Sequence, residues 1–197
     1  NNSSLLLKYV DHSSNAIGNG VNETVITLKD DKYPVTVKLH YVAYGKENII
    51  RTFTEISHEE KKPVILCKYA SSMLHLNSSK YFLTEFSGDW AHEANVTERE
   101  LAFGKKVIDT KLGARANMFV SPFFQLALDN PSQENAGEVL VGTIGWTGNF
   151  RFTFEVDNKN ELRIISGINP YDSEYSLPAR EVFRTPDFYF TYSTQGK

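Results

Sequence analysis

The chain has 197 residues, 41% of them hydrophobic and 23% charged, with a net charge of -3. That suits one folded domain with a real core and excludes a disordered chain. So small a charge leaves no electrostatic footprint for nucleic acid or an anionic membrane, and no apolar run approaches the ~20 residues of a membrane span.

The polar start "NNSSLLLKYV" lacks the charged n-region and long h-region of a signal peptide. Cytoplasmic residence and export after signal removal both stay open. Sequons such as those at Asn22 and Asn95 say only that glycosylation is chemically possible in a suitable host. "ETVITLKD" and "VTVKLHYVAY" alternate as strands do, the second with Val35, Val37, Leu39 and Tyr41 on one side and Lys38 and His40 on the other. "NIIRTFTEIS", "VILCKYASSMLHL" and "YFLTEFSG" follow, separated by the turn-forming "GKE", "HEEKKP" and "NSSK". Cys67, the single cysteine, excludes an intrachain disulfide and argues against a cysteine-based zinc site. Its place in an apolar run predicts a buried, inert thiol.

Thr97-Glu98-Arg99-Glu100 has the spacing of a helix capping box, but Gly104 and the β-branched residues after it would cut a helix short. Further on, "EVLVGTIGW", "NFRFTFEVD" and "RIISGI" read as a three-stranded meander turning at "TGN" and "DNKNEL". Phe150, Phe152 and Phe154 share one face of the middle strand. Burying each is worth about 1.5–3 kcal/mol, so that face must meet a second layer. Turn signals at roughly 8–12-residue spacing, with no alternation of strands and helices, predict an all-β antiparallel β-sandwich with little or no helix. Residues 1–197 read as one domain.

Phosphate-binding glycine patterns, a Gly-x-Ser-x-Gly elbow and a His-Glu-x-x-His pair are absent, so no cofactor is expected. His12, His40, His58, His75 and His92 are scattered without metal-ligand spacing. They read as exposed, and no metal is expected. The stretch "GDWAHE" is different, because it concentrates Asp89, Trp90, His92 and Glu93. Asp89 and Glu93 are either solvated loop acids or a glycosidase pair, which would have to flank a sugar at a defined separation. Trp90 either plugs one end of the sandwich or stacks on a sugar ring.

An ordered series of motifs carries a resemblance. Gly88, Trp90 and Glu93 come first, then Gly137, Glu138 and Val139, then Gly148, Asn149 and Phe150. Gly167, Ile168, Asn169 and Pro170 follow. Glu181, Phe183, Thr185, Pro186, Tyr192, Ser193, Gln195 and Gly196 close the series. In this order the chain resembles the N-terminal β-sandwich domain of family 36 glycoside hydrolases, the α-galactosidases. The resemblance implies a supersandwich of the galactose-mutarotase-like kind. It also implies a (β/α)8 barrel following this domain and holding both catalytic carboxylates, so none of the matched positions is catalytic. The run Leu112–Asn117 departs from the family, which places a Ser-Ser-His there.

On this resemblance the partners are the C-terminal barrel of the same parent chain and, through it, α-galactoside oligosaccharides; a homo-oligomer is possible. Asp89, Trp90, His92 and Glu93 then become candidates for the barrel interface or for the rim of a sugar pocket, with the interface favoured because a Trp flanked by charge suits a buried anchor. Two readings of another class stay open: a free-standing carbohydrate-binding sandwich and an oligomerisation scaffold. The first needs a platform of aromatics on one face, which the consecutive Phe188, Tyr189 and Phe190 cannot make.

Overall fold

The computed structural model describes residues 5–93 and 95–197; the polar start before Leu5 and Ala94 of the candidate loop lie outside them. The strands in chain order are β1 (Leu7–Gly18), β2 (Val21–Asp30), β3 (Val35–Tyr44), β4 (Ile49–His58), β5 (Val64–Leu66), β6 (Ser72–Asn77), β7 (Tyr81–Ser87) and β8 (Asn95–Glu100). They continue with β9 (Gly104–Asp109), β10 (Val120–Leu128), β11 (Glu138–Gly145), β12 (Phe150–Val156), β13 (Glu161–Ile168), β14 (Tyr175–Leu177), β15 (Val182–Arg184) and β16 (Asp187–Ser193). Among the described residues the only helical turn is a 3-10 turn at Gly113–Arg115.

A large sheet runs β1-β2-β3-β4-β16-β11-β10-β7-β8, with β15 also paired to β4. A four-stranded sheet, β6-β13-β12-β9, stacks on it, and β14 pairs with β5 apart from both. All strand pairs are antiparallel. The fold is the expected antiparallel sandwich.

The core forms where the sheets face each other. Phe150, Phe152 and Phe154 of β12 are fully buried with Leu162 and Ile164 of β13, against Leu83, Phe124, Leu126, Leu140 and Phe188 of the large sheet. The Phe124 ring meets Phe152 and Phe154 edge-on, with centroids 5.2 and 4.9 Å apart, the geometry favoured by the ring quadrupole. Gly142 makes room for it, since a Cβ there would stand 2.5 Å from the Phe124 ring.

Alternation sends the remaining side chains of the large sheet outward. Phe82, Ala127 and Val139 form a second small cluster on that outer face, with Val141 packed on it. The alternation expected for β3 holds as well: the register pairs Val37 with Ile56 and Leu39 with Thr54, on the face opposite His40 and Phe53.

Several local expectations are corrected. The three-stranded meander does not form, because β11 pairs with β10 and β16 in the large sheet while β12 pairs with β9 and β13 in the small one. The "TGN" turn therefore carries the chain from one layer to the other. Gly148 allows this crossing to be tight, since a Cβ there would meet Trp146 Nε1 at 2.7 Å.

The segment "VILCKYASSMLHL" breaks into β5 and β6, which belong to different sheets. Cys67 falls in the gap and is exposed rather than buried. The capping-box residues Thr97–Glu100 lie in β8, paired along β7, because tertiary pairing overrides a four-residue helix signal. His58 is buried at 2% exposure instead of exposed: its Nε2 donates to Leu177 O at 3.0 Å, and its Nδ1 accepts from Glu60 N–H at 3.1 Å. His40 is half-buried between two carboxylates, Glu23 at 3.1 Å and Glu55 at 3.3 Å. His12, His75 and His92 are exposed as expected.

Candidate functional site

The stretch Gly88–Glu93 lies in the connection between β7 and β8, two neighbouring strands at one edge of the large sheet. Gly88 N–H donates to Phe119 O at 2.9 Å, which ties the loop to the segment entering β10. Asp89 and His92 then exchange both backbone hydrogen bonds, at 3.2 and 2.9 Å, and close a tight turn. Ala91 takes φ +61°, a left-handed conformation that costs a non-glycine residue on the order of 1 kcal/mol.

The acids of this loop work on its own backbone. Asp89 Oδ1 accepts from Trp90 N–H at 2.7 Å, and Glu93 Oε1 accepts from Ala91 N–H at 3.2 Å. Asn95 Nδ2 donates to His92 O at 2.8 Å. These bonds fix the turn while its side chains face water: Asp89, His92 and Glu93 are exposed, and Trp90 is 86% exposed. Trp90 is therefore not a plug of this sandwich. A rigid turn holding out a bare indole is suited to contact, since burying an aromatic of this size removes a large apolar area from water.

The turn brings the four candidate residues together. Both carboxylates are exposed and accept from neighbouring backbone amides. Among the described residues no group of three His, Cys, Asp or Glu side chains is placed to hold a metal ion. No helix among them is long and apolar enough to cross a membrane.

The later motif residues hold the fold together. Asn149 Oδ1 accepts from Gly113 N–H at 2.7 Å and so positions the turn that departs from the family pattern. Asn169, 1% exposed, donates to Thr110 O at 2.9 Å and to Asp109 Oδ2 at 3.2 Å. Asp109 also takes Arg151 at 2.8 Å. Thr185 and Thr54 bond reciprocally across β4, each pair of atoms 2.9 Å apart. At Gly196, with φ +85°, a Cβ would stand 2.6 Å from Gln133 O, so only glycine lets the chain end lie on that loop.

The cluster that sequence reasoning missed lies on the outer face of the large sheet. The His40 and Phe53 rings stack at 4.3 Å, and the Arg184 guanidinium carbon lies 3.9 Å from the Phe53 centroid. Asp187 binds both Arg184 and Arg51, the latter at 3.8 Å. The alternation of β3 and β4 signalled a shared face, but nothing local could bring Arg184 beside Phe53.

Fold and loop together define an all-β antiparallel sandwich with an exposed aromatic turn at one edge. The chain belongs to glycosyl hydrolase family 36: the family model described as "Glycosyl hydrolase family 36 N-terminal domain" matches residues 2–178. It is 30% identical over 189 residues to alpha-galactosidase AgaA of Geobacillus stearothermophilus, covering 95% of this chain and 25% of that protein. The crystal structure of that enzyme superposes with a TM-score of 0.90 at 27% identity, over 99% of this chain and 29% of the other. Alpha-galactosidase 2 of Pediococcus pentosaceus is 29% identical over 176 residues, 89% of this chain and 24% of that protein. The chain thus spans about a quarter of the length of these curated relatives.

Proposed function

We propose that this chain, taken as one domain over its whole length, is the non-catalytic N-terminal sandwich of an α-galactosidase-type glycoside hydrolase. It packs on and supports a (β/α)8 barrel that hydrolyses terminal α-galactosides. The observation that carries this reading is the match of nearly the whole chain to the first domain of a family whose compared relatives are α-galactosidases. Retaining hydrolysis needs two carboxyl groups about 5–5.5 Å apart, one a nucleophile and one an acid/base, and both belong to the barrel. Within this chain Asp89, Trp90, His92 and Glu93 form a preset contact element directed at the barrel, with α-galactoside oligosaccharides reached only through the parent protein.

The test compares the parent gene product with residues 1–197 expressed alone, using an aryl α-galactoside. The parent should turn over and the isolated chain should not, even at high protein concentration. Turnover by the isolated chain that survives repurification and disappears in Asp89→Asn or Glu93→Gln would overturn the assignment. A parent gene that stops at Lys197 would leave a free-standing binding or oligomerisation sandwich instead.

A further inference from the structure

The two faces of the large sheet differ in a way that the sandwich itself does not explain. The small sheet covers the inner face over β7, β10, β11 and β16. The outer face, which the register assigns to His40 and Phe53, then Arg51 and Tyr189, then Gln125 and Val141, has no second sheet over it among the described residues.

That outer face is not an ordinary solvated one. His40, Phe53 and Arg184 lie flat against one another across three strands, and Asp187 locks Arg51 and Arg184 beside them. Phe53 is 7% exposed because the His40 ring and the Arg184 guanidinium cover it. Flat, pre-ordered side chains of this kind lose little rotamer entropy on being covered, which is the property of a good docking surface.

Among the described residues, two buried nitrogens on this face have neither a hydrogen bond nor an ion-pair partner, whereas the third, His40 Nε2, has only the Glu55 carboxylate at 3.3 Å. The two are Gln125 Nε2, on a residue only 8% exposed, and Arg51 Nε. A buried donor left unbonded costs about 1–3 kcal/mol, which an acceptor from a covering segment would offset. Arg163 Nε on the outer face of the small sheet is unbonded too, so the choice between the faces rests on the course of the chain.

The course of the chain says where that acceptor comes from. Beyond β16, Gly196 N–H donates to Gly137 O, and Lys197 N–H donates to Gln133 O, both at 3.0 Å, so the last residues lie on the 130–137 loop. That loop turns to the outer face: the Ser132 hydroxyl and N–H donate to Glu98, which also accepts from the outward-facing Thr84 hydroxyl. A polypeptide continuing past Lys197 sets out from this side. The relatives have about three quarters of their length outside the matched region.

We infer that the outer face of the large sheet, centred on the His40–Phe53–Arg184 stack, is the seat of the polypeptide that follows Lys197. This rests on the proposed function, in that a barrel follows, and adds which face it covers. The occupant presents hydrogen-bond acceptors to Gln125 and Arg51 and a flat surface to the stack. Association covers Tyr189 and Thr143 as well, and it leaves the outer face of the small sheet in water.

The experiment uses the full-length parent carrying Cys67→Ser and one new cysteine, Lys38→Cys on the outer face of β3 or Lys105→Cys on the outer face of β9. Both lysines are exposed in this chain. A maleimide reacts with each variant under native conditions and after denaturation, and peptide mass spectrometry reads labelling at the introduced site. Lys38→Cys should label at least ten-fold more slowly than Lys105→Cys in the native protein and at the same rate once unfolded. Equal native labelling in a parent that still hydrolyses an aryl α-galactoside would overturn the inference while leaving the function standing. Protection of Lys38→Cys that vanishes on dilution to the monomer, followed by light scattering, would also overturn it, by assigning the face to a second copy.

Discussion

The Tyr81 hydroxyl faces the carbonyl oxygen of Asn160 at 2.9 Å, joining the large sheet to the β12–β13 turn of the small one. It also faces Leu76 O at 3.0 Å and accepts from Ser78 N–H at 2.9 Å. Asn160, left-handed at φ +62°, donates from Nδ2 to Ser78 O and Ser79 O at 2.9 and 3.0 Å. One end of the sandwich is thus stitched by a fully buried phenol and a strained turn residue. Tyr81→Phe keeps the ring and strands the Ser78 amide, so it should cost about 1–3 kcal/mol. Urea unfolding should show this as a lower midpoint at constant slope. An unchanged midpoint would mean that water replaces the hydroxyl.

Phe152→Asp should abolish folding. Truncating a buried Phe costs about 3–5 kcal/mol before any charge is counted, against a total stability of roughly 5–15 kcal/mol. The new carboxylate would stand between Phe124, Phe150 and Phe188 with no partner. Circular dichroism during a thermal melt reads the outcome, and a melt within a few degrees of the parent would contradict the two-layer core.

Acid should loosen two turns first. The Ser78 and Ser79 hydroxyls and the Ser79 amide hold the Asp129 carboxyl below its ordinary range, and the Glu161 and Lys159 amides do the same for Asp157. A carboxyl whose folded value is depressed adds stability that is fully present above its unfolded value of about 3.9 and is lost as pH falls through the folded value. Unfolding midpoints measured downward from pH 6 should drop below about pH 4. The drop should be shallower in the double variant Asp129→Asn, Asp157→Asn; an identical slope would show that other groups set the acid limit.

Trp90→Ala should matter only where the parent protein is whole. With 86% of the residue in water, its removal should move the melting of the isolated chain by less than about 0.5 kcal/mol. In the full-length protein an interface anchor lost from the same position should cost about 2 kcal/mol or more, with the substrate KM little changed. A large rise in KM at constant melting temperature would instead put the indole at the rim of the sugar pocket.

Period-two alternation is a local property, and it was legible wherever a strand had one buried face. It placed Phe150, Phe152 and Phe154 on a single buried face, set Lys38 and His40 opposite Leu39, and excluded an aromatic platform from Phe188, Tyr189 and Phe190. The motif series, from Gly88 to Gly196, carried the family through its order along the chain. What the sequence could not carry was partnership between distant strands. Only the tertiary structure sent β11 and β12 to different layers, because β11 finds its neighbours in β10 and β16 rather than across its own turn. For the same reason Thr97–Glu100 became a strand against β7, His58 was buried under Leu177, and Cys67 was left in water between two short strands. The candidate turn at Trp90 was visible as composition, but its direction, outward from the sandwich, is set by hydrogen bonds that Gly88 makes to Phe119 and Asp89 to His92. The His40–Phe53–Arg184 stack needed three strands in register before it existed at all.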